Sequence, residues 1–120
     1  MKVLKYSLMG VFVLGIQLFA DYVSHQYHYA DTITLSECIN DAKKVFKSNG
    51  LKNIYVHRNK NYPYAVVSAI NPEGYTFQYT CESQKGFAYL IVNGPRRDMR
   101  NKFLDKIGEE LKELHKSHNK

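Results

Sequence analysis

Residues 64–92 read YAVVSAINPEGYTFQYTCESQKGFAYLIV, and this stretch decides the fold. It contains three short segments rich in aromatic and β-branched residues, which predict β-strands at 64–70, 75–81 and 87–92. The intervening segments NPEG and SQKG are predicted turns. Because such short links join antiparallel neighbours, we expect an antiparallel meander.

The chain before this stretch predicts one helix and one more strand. Thr34 and Glu37 have the spacing of a capping box, and Asn49-Gly50 predicts the end of the helix. The residues between them recur at the spacing of one apolar helix face. A further strand is predicted at 53–58. The apolar helix face comprises Leu35, Cys38, Ile39, Ala42, Val45 and Phe46.

After the meander, Gly94-Pro95 ends the sheet, and a second amphipathic helix is predicted from about Arg97. The resulting order is α-β-β-β-β-α. The predicted fold class is therefore α+β, a four-stranded antiparallel meander with two helices on one face.

Cys38 and Cys81 are the two cysteines of the chain. An even count predicts a disulfide between them in a chain that reaches an oxidising compartment, and the leader described below indicates such a chain. A metal pair or a catalytic thiol is the alternative, although the sequence contains no CxxC motif. The disulfide would place Cys81 on the helix side of the sheet, together with Tyr75, Phe77 and Tyr79.

Turn lengths then predict which residues occupy the opposite, open face. A four-residue loop at 71–74 pairs Ile70 with Tyr75 and turns Val67 outward, together with its neighbours Ala65 and Ala69. A four-residue loop at 83–86 pairs Glu82 with Phe87. The predicted binding surface on this open sheet face consists of Val67, Thr76, Gln78, Phe87, Tyr89 and Ile91.

Residues 1–20 have the layout of a secretory signal peptide. Two lysines precede an apolar run at 8–19, and the small residue Ala20 follows. The run is shorter than the about 20 apolar residues of a membrane-spanning helix. We expect cleavage after Ala20 and a periplasmic or secreted protein. An uncleaved leader, which would give membrane contact, is the alternative.

The remaining chain is the size of a single domain. Residues 21–33 show no helical period and are interpreted as an N-terminal arm, either flexible or an added edge strand. Residues 34–114 form the predicted α+β domain, and residues 115–120 are expected to be a frayed tail.

The net charge of +6 includes the two leader lysines. Arg96, Arg97 and Arg100 concentrate positive charge at the start of the last helix, and they are weak candidates for anion contact, with a solvated helix face as the alternative. Export argues against nucleic acid as the partner. We expect an envelope protein or an anionic envelope component, such as a lipid head group or an acidic glycan.

The chain contains no GxSxG, HExxH, P-loop or strand-linked GxGxxG motif, so we expect neither an enzyme nor a cofactor. Histidines form two HxxH pairs, His25 with His28 and His115 with His118. This spacing is found in some zinc sites, but neither pair has a third ligand near it in sequence. They are therefore weak metal candidates, and no metal site is assigned.

The segments ECINDAKKVFKSNGLKNI (37–54) and YTFQYTCE (75–82), followed by Gly94-Pro95, resemble a loose set of small exported bacterial α+β proteins with a single disulfide. Members of that set are largely uncharacterised. The resemblance covers most of 34–114 and implies the fold and the disulfide, but it transfers no functional residue.

These observations favour a small, non-catalytic binding or accessory protein of the cell envelope that acts through its open sheet face. One alternative is an inhibitor of a host or competitor enzyme, such as a lysozyme. Another is a metal-binding protein that uses the histidine pairs.

Overall fold

The computed structural model describes residues 22–30, 33–82 and 86–118, so the leader predicted at 1–20 lies outside the described residues. Within the described ranges, five strands and two helices follow one another as β1, α1, β2, β3, β4, β5 and α2. Their bounds are Val23–Tyr29 (β1), Leu35–Ser48 (α1), Lys52–Arg58 (β2), Tyr64–Ile70 (β3), Thr76–Glu82 (β4), Phe87–Asn93 (β5) and Arg97–Ser117 (α2).

The strands form one antiparallel sheet in the order β1-β5-β4-β3-β2. The predicted meander is present as β2 to β5. Both helices pack on the same face of the sheet: on β4, the ring of Phe77 contacts Phe46 of α1 and Phe103 of α2. The α+β class, the antiparallel meander and the placement of the helices are confirmed.

The strand count is wrong by one, because the predicted N-terminal arm is part of the sheet. Residues 23–29 pair with β5 along their whole length, from Val23 opposite Asn93 to Tyr29 opposite Phe87. The arm is therefore an edge strand of the domain, which was the second of its two interpretations. Its partner lies about sixty residues further along the chain, so local sequence gives no sign of the pairing.

Residues 115–118 of the predicted frayed tail also belong to the domain. Helix α2 continues to Ser117, and His115 is only 4% exposed because it faces the sheet. No helix in the described ranges has the length and the apolar character that crossing a membrane requires.

The turn between β3 and β4 corrects the predicted register. It contains five residues, 71–75, so Ile70 pairs with Thr76 and not with Tyr75. The N–H of Tyr75 donates to Oδ1 of Asn71 (2.8 Å), which closes the longer turn. Because side chains alternate between faces, the extra residue turns Val67 inward, where it is fully buried. Its neighbours Ala65 and Ala69 turn inward with it.

The predicted helix start and disulfide are both present. The N–H of Thr34 donates to Oε1 of Glu37 (2.8 Å), and the N–H of Glu37 donates to Oγ1 of Thr34 (3.1 Å). Cys38 of α1 bonds Cys81 of β4 and so links a helix to the centre of the sheet. Disulfides persist in oxidising compartments, so the bond indicates a setting outside the reducing cytosol.

We expect the double variant Cys38→Ala/Cys81→Ala to unfold more easily than the oxidised protein. The two cysteines are 43 residues apart, and the chain-entropy relation assigns about 4 kcal/mol to a loop of that size. Urea titration monitored by circular dichroism measures the difference. The reduced wild-type protein is the matched control and should unfold at the midpoint of the variant. Equal midpoints for the oxidised and reduced proteins would contradict the expectation.

Candidate functional site: an aromatic sheet face and a buried histidine network

The sheet face opposite the helices carries a continuous surface of side chains. Strand pairing aligns these side chains in rows that cross all five strands. One central row contains Tyr27, Tyr89, Thr80, Val66 and His57, and the next contains His25, Ile91, Gln78, Ser68 and Tyr55. These ten residues, together with Phe87, are called the aromatic face. None of them is an aspartate, glutamate, lysine or arginine, and the nearest carboxylate on this side of the sheet belongs to Glu82, which pairs with Phe87 at the border of the face.

Two tyrosine rings of the aromatic face project into solvent. Tyr27 is 66% exposed and Tyr55 is 59% exposed, although both are on strands. The ring of Tyr27 lies 5.6 Å from His25, 5.8 Å from Tyr89 and 6.3 Å from Phe87, between ring centroids. Such edge and tilted contacts hold the rings in place without covering them. The face is therefore a rigid aromatic surface that remains open.

A second aromatic group lies on the same face of the sheet, at the opposite edge from β1. On β2, the rings of Tyr55 and His57 are 4.5 Å apart and meet edge to face. Beside them, Tyr62 in the loop before β3 contacts Tyr64 at 5.5 Å. Because both helices pack on the opposite face, no element among the described residues covers this surface.

Five of the six residues predicted for the open face lie on that side of the sheet: Thr76, Gln78, Phe87, Tyr89 and Ile91. Val67 does not, because the five-residue turn places it in the core. The four-residue spacing predicted after β4 is present, since Glu82 pairs with Phe87. That pairing is why the β5 residues were placed on the correct face.

Sequence reasoning missed Tyr27, Tyr55 and Val66. Tyr27 was missed because β1 was interpreted as an arm, although Val23, His25 and Tyr27 alternate with polar residues at the period of a strand. Val66 was placed on the wrong face by the same one-residue error as Val67.

The helix side of the sheet contains a chain of hydrogen bonds that joins four elements. His28 of β1 lies 2.8 Å from the hydroxyl of Tyr79 of β4, between Nδ1 and the oxygen. The same hydroxyl lies 2.9 Å from Nε2 of His115 of α2. Nδ1 of His115 donates to Oδ2 of Asp41 of α1, at 2.7 Å. We call these four residues the histidine network. Each is at most 4% exposed.

Two further residues extend the histidine network to the surface. On β1, the side-chain amide of Gln26 is hydrogen-bonded to Nε2 of His28 at 2.7 Å. At the other end, His118 donates from Nε2 to Asp41 (2.9 Å), and its Nδ1 lies 3.0 Å from Oε2 of Glu37. His118 therefore has a carboxylate at each ring nitrogen, which favours its protonated form.

Close approach of β1 to α2 depends on a glycine. A Cβ atom at Gly108 would lie 1.9 Å from Oε1 of Gln26 and 3.4 Å from Nε2 of His28. Any larger residue would therefore displace the Gln26 side chain from His28. Glycine is unfavourable inside a helix. At position 108 it is needed because a larger side chain would leave no room for Gln26 of β1.

Burial determines the protonation of the histidine network. It lowers the pKa of His28 from 6.5 to about 4, and the charges of Lys112 and His115 act in the same direction. Burial also lowers the pKa of His115, although Asp41 opposes the change. Burial and the Asp41 carboxylate raise the pKa of Tyr79, which keeps its hydroxyl protonated. At the exposed end, the hydrogen bond to Asp41 raises the pKa of His118.

The two histidines of the first HxxH pair lie on opposite faces of β1, whereas those of the second pair share a hydrogen-bond partner. His25 is on the aromatic face and His28 is in the core, because residues three apart on a strand point to opposite sides. His115 and His118 both bond Asp41. Among the described residues, no group of three or more His, Cys, Asp or Glu is arranged to hold a metal ion. The sequence signal for this network was Asp41, a charged residue within the apolar face of α1.

The three arginines predicted to contact anions lie in different environments. Arg96 is exposed and pairs with Asp98 at 2.7 Å. Arg97 is exposed at the start of α2. Arg100 is only 2% exposed, so the alternative of a solvated helix face is wrong for this residue. It points toward β1, where Nε donates to Oγ of Ser24 at 3.0 Å.

Neither a protein-family model nor a curated protein sequence matches this chain. The geometry described above therefore carries the functional argument. It contains two distinct parts: an open aromatic surface on one side of the sheet, and an internal network that holds β1 on the other.

The pKa of His28 predicts acid sensitivity of the fold. Between pH 6.5 and about 4 the unfolded chain binds a proton at His28 that the folded protein does not, so stability falls as the pH decreases. The shift corresponds to about 3 kcal/mol at most. His115 acts in the same direction, and the more exposed His118 partly opposes it.

Urea midpoints measured from pH 4 to 8 test this expectation. The variant His28→Gln should show a weaker pH dependence than the wild type, because one of the groups that titrate differently on unfolding is gone. His57→Gln, which changes an exposed histidine of the aromatic face, is the matched control and should keep the wild-type profile. Equal profiles for His28→Gln and the wild type would show that His28 does not carry the effect.

Proposed function

We propose that this protein is an exported, non-catalytic binding protein of the cell envelope that captures a protein partner on its aromatic face. The observation that carries the proposal is the composition of the two central rows. They present exposed tyrosines and short polar side chains, with no carboxylate, ammonium or guanidinium group. The centres of protein interfaces have this composition, enriched in tyrosine and depleted in charge.

The rigidity of the face supports the same function. Its side chains project from paired strands, so little conformational entropy is lost when a partner binds. Tyrosine adds a large contact area with few rotatable bonds, and its hydroxyl can donate or accept a hydrogen bond. Ser68 and Gln78 lie between the aromatic groups and supply further polar contacts, whereas Thr80 is only 6% exposed.

The absence of charge on the aromatic face favours one kind of occupant. An acidic glycan or a lipid head group would need cations, and the two central rows have none. A second copy of this chain is disfavoured because lysines and arginines (17, including the two leader lysines) outnumber aspartates and glutamates (11), and a positive excess remains without the leader, so two copies repel each other. The occupant that fits best is a different protein with an apolar, uncharged contact surface.

Variants of the aromatic face test this proposal. We expect Tyr27→Ala and Tyr89→Ala each to weaken partner binding by about 2 kcal/mol, about thirtyfold in Kd, because both tyrosines are in a central row. Tyr62→Ala, which removes an exposed tyrosine from the loop beside the face, should change Kd less than threefold. Unfolding midpoints of the three variants establish that the fold is intact.

The measurement begins with crosslinked capture from the native envelope by the wild-type protein. The captured protein is then purified, and calorimetry measures its Kd for each variant at low and high salt. An uncharged interface predicts little salt dependence. Equal Kd values for all three variants would place the contact elsewhere. A dimer in sedimentation that Tyr27→Ala dissociates would identify a second copy as the occupant and would contradict the proposal of a different partner.

A further inference from the structure

A polar groove lies at the free edge of β1 and borders the aromatic face at His25. Its volume is about 320 Å³, and it is formed by the first residues of β1 and the first two turns of α2. Ser24 and His25 contribute from the strand. Arg97, Arg100 and Asn101 contribute from the helix. Five polar or positively charged residues thus line one small space.

Arg100 is the unusual member of this group. Its Nε donates to Oγ of Ser24 (3.0 Å), and its Nη1 donates to the carbonyl oxygen of Gly94 (2.7 Å). Both acceptors are neutral. Within residues 22–30, 33–82 and 86–118, no carboxylate pairs with its guanidinium, and Nη2 donates to no protein group. A charge that is 98% buried is thus left without a counter-charge.

A buried charge of this kind is costly. Removing an ion from water costs several kcal/mol unless an opposite charge compensates for it. The neighbouring Arg96 shows the usual solution, since it is exposed and forms two hydrogen bonds with Asp98. Arg100 lacks such a partner, and it lines a groove that is open to solvent on its other side.

The start of α2 increases the positive potential of the groove. The helix has no side-chain cap at Arg96, and the helix dipole adds positive charge there, although the carboxylate of Asp98 in the first turn interacts with the N–H groups of Asp98 and Met99 and offsets part of it. Arg97 is in the first turn and has no ion pair among the described residues. Cations at this end of a helix are unfavourable, whereas an anion is stabilised by the dipole and by both arginines.

We infer that the groove between β1 and α2 binds a phosphate-type oxyanion, with Arg100 and Arg97 as its counter-charges. Two guanidinium groups, a hydroxyl and an amide supply several donors for the oxygens of such a group. The volume exceeds that of the anion itself, so an organic group attached to the phosphate also fits. The ligand is therefore a free phosphate, a soluble phosphate ester or the head group of an anionic lipid.

Inorganic phosphate is the first probe, titrated at constant ionic strength into the protein that begins at residue 21 and so contains every described residue. We expect saturable amide shifts in NMR spectra at Ser24, His25, Arg97 and Asn101. Arg97→Gln should weaken the affinity about tenfold or more, because a charged hydrogen-bond donor is lost. Arg96→Gln makes the same change of charge one residue away and outside the groove. It should change the affinity less than twofold.

Arg100→Met separates binding from folding. It replaces the buried charge with an apolar side chain of similar length but also removes the donors to Ser24 and Gly94, so the two effects oppose each other and the unfolding midpoint should change little while phosphate binding is lost. A large loss of stability in this variant would show that Arg100 serves the fold. The comparison of Arg97→Gln with Arg96→Gln then decides whether the groove binds phosphate. Both side chains are exposed, so neither change is expected to unfold the protein.

Lipid vesicles distinguish the sources of the phosphate group. Co-sedimentation with phosphatidylglycerol vesicles, but not with phosphatidylcholine vesicles, and displacement by free phosphate would identify a lipid head group. Binding of phosphate without binding of vesicles would identify a soluble phosphate or ester. Either result supports the site. Absence of saturable phosphate binding, or equal losses for Arg96→Gln and Arg97→Gln, would overturn it. The second result would indicate an adventitious ion only.

Discussion

The contacts of one tyrosine hydroxyl organise this protein. Tyr79 lies at the centre of the sheet and bonds His28 of the edge strand and His115 of the second helix, and His115 in turn bonds Asp41 of the first helix. Four elements are thus joined through groups that are almost fully buried. Such groups must all be paired, because an unpaired polar atom in the core costs more free energy than its hydrogen bond contributes. The network therefore defines where β1 and the end of α2 must lie.

Both candidate binding surfaces depend on the position of β1. Its outward residues His25 and Tyr27 complete the aromatic face, and its inward residue Ser24 contacts Arg100 beside the polar groove. One edge strand thus separates an uncharged surface from a cationic one. If both proposals are correct, the protein can hold a partner protein on one surface while it contacts an anionic group on the other. The strand is held by buried histidines, so acid would weaken both surfaces together.

Local sequence patterns predicted the elements of the fold accurately, because capping, turn and alternation signals act over a few residues. The prediction failed at the turn between β3 and β4, where one additional residue changes the face on which every β3 side chain lies. The side chain of Asn71 accepts a hydrogen bond from the N–H of Tyr75, and the resulting longer turn reverses the faces of Val66 and Val67. The turn after β4 had the expected length, so Tyr89 was placed on the correct face from sequence alone.

The sequence by itself determined the two helices, the meander, the disulfide pair and the excess of tyrosine and positive charge, since each is a property of short segments or of composition. Only the tertiary structure decided that residues 23–29 form a fifth strand, that Tyr79 links His28 to His115 and through it to Asp41, and that Arg100 is buried without a counter-charge. These features join residues separated by 50 to 80 positions. The physical reason is that burial and long-range hydrogen bonds arise only when distant segments pack together, and no local pattern encodes that proximity.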